Sequence, residues 1–228
     1  MCLAGVAAGT RLASGGHHYQ TYIDTGCSIA VIADAPGNLA TSVKGGLALT
    51  TDATDNNQVA LGSDVGWIAA GTTYTKPWWF EARVMLASIA DTQSGVFVGL
   101  AEPGNAVTDV PLLDAGTLAD IDLLGFWRNE ADGNAWATVH SLNGGAIVTL
   151  AAAVAVPVAA SYNKLGMHFD GTTVYFYVDG VVHATSVLPA ATNFPLDQLM
   201  GPCFGMNNAA AGAEVNSIDW WRMATLYA

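Results

Sequence analysis

The fold is decided by the stretch HFDGTTVYFYVDGVVHATSV, which runs from His168 to Val187. Its middle part, TVYFYV, alternates side chains with the two-residue period of a β-strand that buries one face. Asp-Gly pairs at 170–171 and 179–180 flank that part, and such pairs favour tight turns because glycine adopts positive φ without a steric penalty. The stretch therefore predicts three antiparallel strands joined by two turns, a β-meander.

The rest of the chain repeats this pattern of short strands and turn clusters. WWFEARVMLA (78–87) and SIDWWRMATLYA (217–228) alternate in the same way. Roughly a dozen strand candidates follow at a spacing typical of a sandwich, and no segment has the period and caps of a helix. We expect an all-β fold, a two-sheet antiparallel jelly-roll sandwich. Residues 1–28 are interpreted as an N-terminal arm or extended lead-in, and residues 29–228 as a single jelly-roll β-sandwich domain.

Composition and charge exclude several classes of function. Apolar residues make up 52% and charged residues 11% of the 228 residues, which suits a large core and not a disordered chain. The net charge of −12, from 7 basic and 19 acidic residues, disfavours direct nucleic-acid binding and attraction to an anionic membrane. The longest apolar stretch, 149–160, is too short to span a bilayer. Three cysteines without metal-ligand spacing predict neither a disulfide framework nor a zinc site.

Three segments resemble the concanavalin A-like jelly rolls of the laminin-G and laminarinase-type superfamily. YNKLGMHFDGTTVYFYVDGVVH resembles their central meander, WWFEARVMLA an earlier strand, and SIDWWRM the closing strand. The resemblance covers about residues 28–226 and implies the same two-sheet sandwich. It says little about function, because this fold carries lectins, hydrolases and virion proteins alike.

The hydrolases of that superfamily carry a Glu-x-Asp-x-x-Glu motif on one strand, and the nearest match here is residues 120–125. The nucleophile position holds Asp120, one methylene shorter than glutamate, and the acid/base position holds Gly125. A hydrolase without its proton donor loses roughly 10²–10⁴-fold in rate. We therefore expect that the chain is not an enzyme, with no catalytic residues, no metal site and no cofactor.

Sugar binding would use aromatic platforms with amides nearby, and several predicted strands offer them. Each of these side chains also has a second interpretation, because aromatic residues are favoured in strands for core and sheet packing. The candidate carbohydrate or subunit contacts are Trp127, Asn129, Trp136, Tyr175 and Tyr177.

Two adjacent tryptophan pairs, at 78–79 and 220–221, supply further candidates. Successive side chains of a strand point to opposite faces, so one member of each pair packs in the sandwich and the other lies outside. Trp79 and Trp221 are the candidate interface aromatics, because an outward tryptophan can anchor a subunit contact.

The whole chain also resembles small proteins of tailed bacteriophages that have this fold and are often encoded beside capsid genes. The resemblance implies a non-enzymatic virion structural protein, a capsid decoration (cement) protein that binds the outer surface of the phage head through loops and its N-terminal arm. Its partners would be the major capsid protein and copies of itself, as a homo-oligomer such as a trimer. Its location would be the capsid surface of the virion, after synthesis in the host cytoplasm. The alternative is a carbohydrate-binding, lectin-like module for host glycans, and the third interpretation, a glycoside hydrolase, is disfavoured by Gly125.

Overall fold

The computed structural model describes residues 12–14, 17–32, 46–69, 75–90, 94–104, 111–113, 117–129, 134–195, 198–208 and 212–226. These residues form fifteen β-strands. The strands are β1 Leu12–Ser14, β2 His17–Ile23, β3 Ser28–Val31, β4 Leu47–Thr50, β5 Gln58–Ser63, β6 Trp78–Leu86, β7 Ser94–Ala101, β8 Leu123–Arg128, β9 Trp136–Ser141, β10 Val148–Ala155, β11 Tyr162–Phe169, β12 Val174–Val178, β13 Val181–Val187, β14 Gly201–Asn208 and β15 Val215–Thr225. Within the described residues there is no helix with the length and apolar character needed to cross a membrane.

The strands form two antiparallel sheets that face each other. Sheet A has eight strands in the order β1-β2-β5-β14-β7-β8-β9-β10, and sheet B has seven in the order β13-β12-β11-β6-β15-β4-β3. Each pairing between neighbouring strands is antiparallel. The expected all-β, two-sheet jelly-roll sandwich is confirmed.

The predicted meander is formed by β11, β12 and β13 at one edge of sheet B. Asp179 and Gly180 have φ angles of 52° and 82°, so both central residues of the β12–β13 turn lie in the left-handed region, as in a type I′ hairpin. At the other turn, the Asp170 carboxylate accepts hydrogen bonds of 2.8 Å from the backbone N–H groups of Thr172 and Thr173. Both Asp-Gly pairs therefore serve to close hairpins, and they set the register of the three strands.

Part of the predicted N-terminal arm belongs to sheet A. It contributes β1 and β2, and residues 19–23 of β2 pair with β5. The inward residues Thr21 and Ile23 are buried, so this segment packs with the sandwich. Residues 1–11 lie outside the described residues, and the division at residue 28 stays a prediction.

The main core lies between the two sheets, where alternate residues of the central strands point inward. Its large, fully buried side chains include Ile29, Leu61, Phe80, Leu100, Phe126, Trp136, Phe169 and Phe176. The ring of Phe126 from sheet A meets the ring of Phe176 from sheet B edge-on, with centroids 5.6 Å apart, a favoured aromatic geometry. The other face of each sheet is left to a second layer or to solvent.

Candidate functional site

Sheet B carries a row of aromatic side chains on its outer face. His168 on β11 is the cross-strand neighbour of Trp79 on β6 and of Tyr175 on β12. The ring centroid of His168 is 5.5 Å from that of Trp79 and 6.4 Å from that of Tyr175. The rings of Trp79 and Tyr177 are 5.0 Å apart. We call these four side chains the aromatic row; all are half-buried, so each packs against its neighbours while part of its ring meets solvent.

Strand alternation puts this row on the outside of the sandwich. Trp78 and Phe80 are buried in the main core, so Trp79 between them points outward. Gly166 lies between the strands that carry Trp79 and Tyr177, and a Cβ on it would be 3.6 Å from Cζ2 of Trp79 and 3.6 Å from Cβ of Tyr177. Gly166 thus lies at the contact between the two rings.

Two ion pairs adjoin the aromatic row. Arg222 on β15 donates a hydrogen bond of 2.8 Å from Nε to Oε2 of Glu81, and its Nη2 donates to the same oxygen. The guanidinium of Arg222 also lies 5.1 Å from the ring centroid of Trp220. Arg83 forms the second ion pair, in which its Nη1 donates to Oδ2 of Asp219. The face therefore joins aromatic surface to charged donors and acceptors, the combination that orients a ligand with an apolar face and a polar rim.

Burial and hydrogen bonds along this face shift two pKa values further from neutral pH. The Arg83 guanidinium covers the Tyr162 ring, 4.1 Å from its centroid. Burial raises the pKa of Tyr162, and the Asp219 carboxylate raises it further, so the phenol keeps its proton at neutral pH. At the far end, hydrogen bonds from backbone N–H groups, led by that of Thr173, lower the pKa of Asp170, which keeps that carboxylate charged.

Three predicted contact residues, Trp79, Tyr175 and Tyr177, come together in the aromatic row. His168 and Gly166 were not among the predicted site residues, although both belong to the same arrangement. The signal for them is the register of the β11–β12 hairpin, which sets His168 opposite Tyr175 and Gly166 opposite Tyr177. Reading cross-strand partners from the turn would have found both residues.

The other predicted carbohydrate contacts lie on sheet A. Trp136 is fully buried in the main core, so the expectation that it contacts a sugar or a subunit is wrong, because its ring fills the space between the sheets. Trp127 is half-buried on β8 and packs against a second apolar cluster. Asn129 follows β8 directly and is half-buried. Since these residues belong to the other sheet, they do not extend the aromatic row.

Trp221 faces inward, and its predicted outer position is wrong. The pairing of β15 with β6 shifts register between residues 218 and 220, which inserts an extra residue, a β-bulge. Beyond the bulge Trp221 lies opposite the inward residue Ala82. Its ring centroid is 5.4 Å from that of Tyr19 and 5.6 Å from that of Phe204. The bulge reverses the phase of the alternation, so the other tryptophan of the pair takes the outer position.

The outer face of sheet A is covered by residues 111–113 and 117–121, which we call the cover segment. The cover segment and the strands beneath it form a second apolar core. Its buried residues are Phe97, Ala101, Leu112, Leu118, Ala119, Ile121, Leu123, Val139 and Cys203. A Cβ on Gly205 would lie 2.5 Å from Cδ of Pro111, so the cover segment rests directly on the sheet backbone.

The segment that was compared with the hydrolase motif lies at this covered face. Asp120 and Asp122 each accept a hydrogen bond of 2.9 Å from a backbone N–H of the turn at 143–144, and so hold that turn in place. A Cβ on Gly125 would lie 2.6 Å from the carbonyl oxygen of Val98, closer than real contacts allow. The packing explains why no glutamate occupies the position of the acid/base residue.

Comparison with known proteins shows likeness in structure only. No protein-family model matches the chain, and no curated protein matches it in sequence. Several solved structures do match it in fold. A glycoside hydrolase family protein from Mycobacterium thermorestibile has 17% identity, covers 79% of this chain and 77% of its own, and has a TM-score of 0.54. An alginate lyase has 10% identity, with 80% and 75% covered and a TM-score of 0.53. A structure reported for endo-acting O-glycanases of the human gut microbiota has 13% identity, with 90% and 94% covered and a TM-score of 0.55.

These comparisons correct one expectation. The prediction that the chain is not an enzyme is contradicted, because proteins named as a glycoside hydrolase, a β-1,3-glucanase and an alginate lyase have its fold. The capsid hypothesis gains no support from them and stays a prediction. At 10–17% identity the likeness shows the fold alone. The chain has the concanavalin A-like jelly-roll sandwich that these carbohydrate-active proteins share.

Proposed function

We propose that this chain is a carbohydrate-active protein that binds a glycan across the aromatic row of sheet B. The observation that carries the proposal is the row itself: three aromatic rings and an imidazole side by side, 5.0–6.4 Å between centroids, on the outer face of a sheet. The rings are half-buried and in contact with each other, with their planes tilted by 27–51°, and together they make a contiguous aromatic surface. Such a surface with a few polar groups at its rim is typical of a small-ligand site.

The chemistry of a sugar matches this arrangement. One face of a pyranose ring is rich in C–H groups and can pack on an aromatic face, which presents the negative side of its quadrupole. The hydroxyl groups at the edge of the sugar can then accept from Arg222, whose exposed guanidinium is held in position by the buried Glu81. Hydrogen bonds to charged groups are stronger than those between neutral groups, so Arg222 would fix the orientation of the sugar.

The test is the substitution of Trp79, the ring that contacts both His168 and Tyr177. We expect Trp79→Ala to weaken glycan binding by at least about tenfold, which corresponds to about 1.4 kcal/mol. Trp127→Ala is the matched control, since it removes a half-buried tryptophan from sheet A. Binding is measured by affinity electrophoresis and calorimetry after a glycan array has identified ligands.

The same samples are then assayed for turnover, by the release of reducing ends and by mass spectrometry of the products. An array without ligands, or equal losses in the Trp79 and Trp127 variants, would rule out this site. Placement on a virion is compatible with a glycan-binding face, and mass spectrometry of purified virions is its separate test.

A further inference from the structure

We infer that the glycan bound at the aromatic row is anionic, and that Lys164 is the cation that selects it. The inference rests on the proposed function and adds a ligand class, a polysaccharide that carries carboxylate or sulfate groups. It is carried by the distribution of positive charge in the described residues.

Positive charge is scarce in this chain, and among the described residues three cations lie on one face. The net charge is −12, with only 7 basic residues. Arg128 is fully buried and donates to backbone carbonyls, so it is not available to a surface ligand. Arg83, Lys164 and Arg222 all lie on the outer face of sheet B, on the adjacent strands β6, β11 and β15. Lys76 is exposed just before β6.

Lys164 and Arg83 are direct cross-strand partners in the β11–β6 pairing. Like charges directly opposite each other destabilise a sheet, so this pair does not contribute to the stability of the fold. Arg83 is compensated by Asp219, and Arg222 by Glu81. The Lys164 ammonium forms no ion pair with a described carboxylate. Of these three cations, Lys164 is therefore the one that forms no ion pair with the described carboxylates.

The nearest acidic group at the strand end is already engaged. Asp179 accepts a hydrogen bond of 2.8 Å from the backbone N–H of Lys164 and one of 3.0 Å from Nδ2 of Asn163. Each of its oxygens accepts from a neutral donor, and neither forms an ion pair with the Lys164 ammonium. The Lys164 side chain is exposed and remains available to an anionic group of a ligand.

The position of Lys164 suits a ligand that stacks on the aromatic row. Lys164, Gly166 and His168 alternate onto the same outer face of β11. Two residues along a strand correspond to about 7 Å, so Lys164 lies one step beyond the gap at Gly166 where Trp79 meets Tyr177. A polymer that stacks there presents its next substituents to the ammonium group.

The experiment compares matched polymers that differ in charge. The carboxylate pair is polygalacturonate and its carboxyl-reduced form, and the sulfate pair is dextran sulfate and dextran. We expect the charged member of at least one pair to bind at least about tenfold more tightly at low ionic strength, with the preference reduced by salt because exposed charges are screened. The pair that shows the preference identifies the anionic group.

Variants then assign the selectivity to one residue. Lys164→Met should reduce the preference for the charged polymer about three- to tenfold and leave the affinity for the neutral polymer unchanged, as expected for one exposed charge. Lys164→Arg should restore it. Lys76→Met removes an equal charge elsewhere and should have a smaller effect. Circular dichroism and thermal unfolding confirm that the variants are folded.

Three outcomes would overturn the inference. Equal affinity for both members of both pairs would reject an anionic ligand while leaving the proposed function standing. An equal effect of Lys76→Met would show that net charge, and not Lys164, causes the preference. Tighter binding of poly-dT than of either charged polysaccharide would point to a nucleic acid. If no polysaccharide binds and Trp79→Ala changes nothing, the proposed function itself fails.

Discussion

The outer faces of the two sheets carry different side chains, and only the outer face of sheet A is covered by another segment. On sheet A the outer face presents Gly205 together with apolar side chains such as Phe97 and Leu123, and the cover segment packs on this face as a second core. On sheet B the strands present the half-buried aromatic row and two ion pairs, whose arginines reach solvent while their carboxylates are largely buried. Two sheets of similar size and the same antiparallel pairing thus give one closed face and one open face.

This comparison indicates that the size and charge of the outward side chains decide which face receives a second layer. Small residues let another backbone approach the sheet closely, as Pro111 does over Gly205, and the added apolar contacts stabilise that layer. Covering the ion pairs of sheet B would remove charged groups from water, a loss that their mutual attraction repays only with excellent geometry. The face that stays hydrated is the face available to a ligand.

The largest expected effect is a loss of stability when a methyl group is added to a glycine on the outer face of sheet A. The same change on the outer face of sheet B is the comparison. A Cβ on Gly125 would lie 2.6 Å from the oxygen of Val98 and 2.8 Å from Cα of Gly99, so Gly125→Ala should lower the free energy of unfolding by about 4 kcal/mol or prevent folding. A Cβ on Gly166 of sheet B meets only ordinary contacts, with its nearest atom at 3.5 Å. Gly166→Ala should therefore stay within about 1 kcal/mol of wild type. Urea unfolding measures both, and equal losses would break the contrast between the faces.

The second prediction tests whether the cover segment is a true core. Leu112 is fully buried, whereas its neighbour Leu113 is 39% exposed. Leu112→Ala should lower the free energy of unfolding by about 2–4 kcal/mol, and Leu113→Ala by less than about 0.5 kcal/mol. Chemical denaturation of the two variants provides a matched comparison within one segment.

A thiol in the second core gives an independent measurement on the same variants. Burial raises the pKa of Cys203 to about 12, so in the native protein this thiol should react slowly with an alkylating reagent, because the thiolate is the nucleophile. Leu112→Ala should increase the labelling rate of Cys203 several-fold, and Leu113→Ala should not. Peptide mass spectrometry separates Cys203 from the other two cysteines. Fast labelling in the wild type would show that the cover segment does not protect this face.

The fold was predictable because its signals are local. The Asp-Gly turns at 170–171 and 179–180 and the alternation between them are read within twenty residues, and the structure forms the meander that they predict. The cover segment has no period, since it packs through scattered residues such as Leu112 and Leu118. Alternation therefore does not predict where the cover segment packs, and in the sequence this segment is only an irregular insertion after β7.

The candidate site was predictable in part, for the same reason. Trp79, Tyr175 and Tyr177 lie in regular strands, where alternation assigns the outer face correctly. Trp221 follows a bulge that alternation cannot anticipate, because the extra residue at 219 is detected only from the pairing of β15 with β6. Trp136 lies in a regular strand, so alternation identifies which residues share its face. Whether that face points to the core depends on the position of the other sheet, which the local sequence does not contain.

The smallest expected effect is a pH dependence of stability that arises in the interior between the two sheets. Neither outer face should contribute to it. His140 is buried on the inner face of sheet A, its Nε2–H donates a hydrogen bond of 3.0 Å to the carbonyl of Thr192, and its Nδ1 has no partner. Burial lowers the pKa of His140 in the folded state, so the unfolded state takes up a proton first as the pH falls below its ordinary value of about 6.5. Stability present above that pH should then be lost on acidification, by at most about 1.4 kcal/mol per pH unit.

His140→Gln keeps an N–H donor for Thr192 but does not titrate, so its urea midpoint should change less between about pH 7.5 and 5.5, the range around the unfolded histidine pKa. Leu112→Ala should keep the full pH dependence of the wild type, because it removes an apolar side chain and leaves His140 in place. Parallel curves for wild type and His140→Gln would show that His140 does not titrate on unfolding. A flattened curve for Leu112→Ala would instead show that the closed face of sheet A and the interior are coupled, so that the two faces could no longer be treated as independent layers.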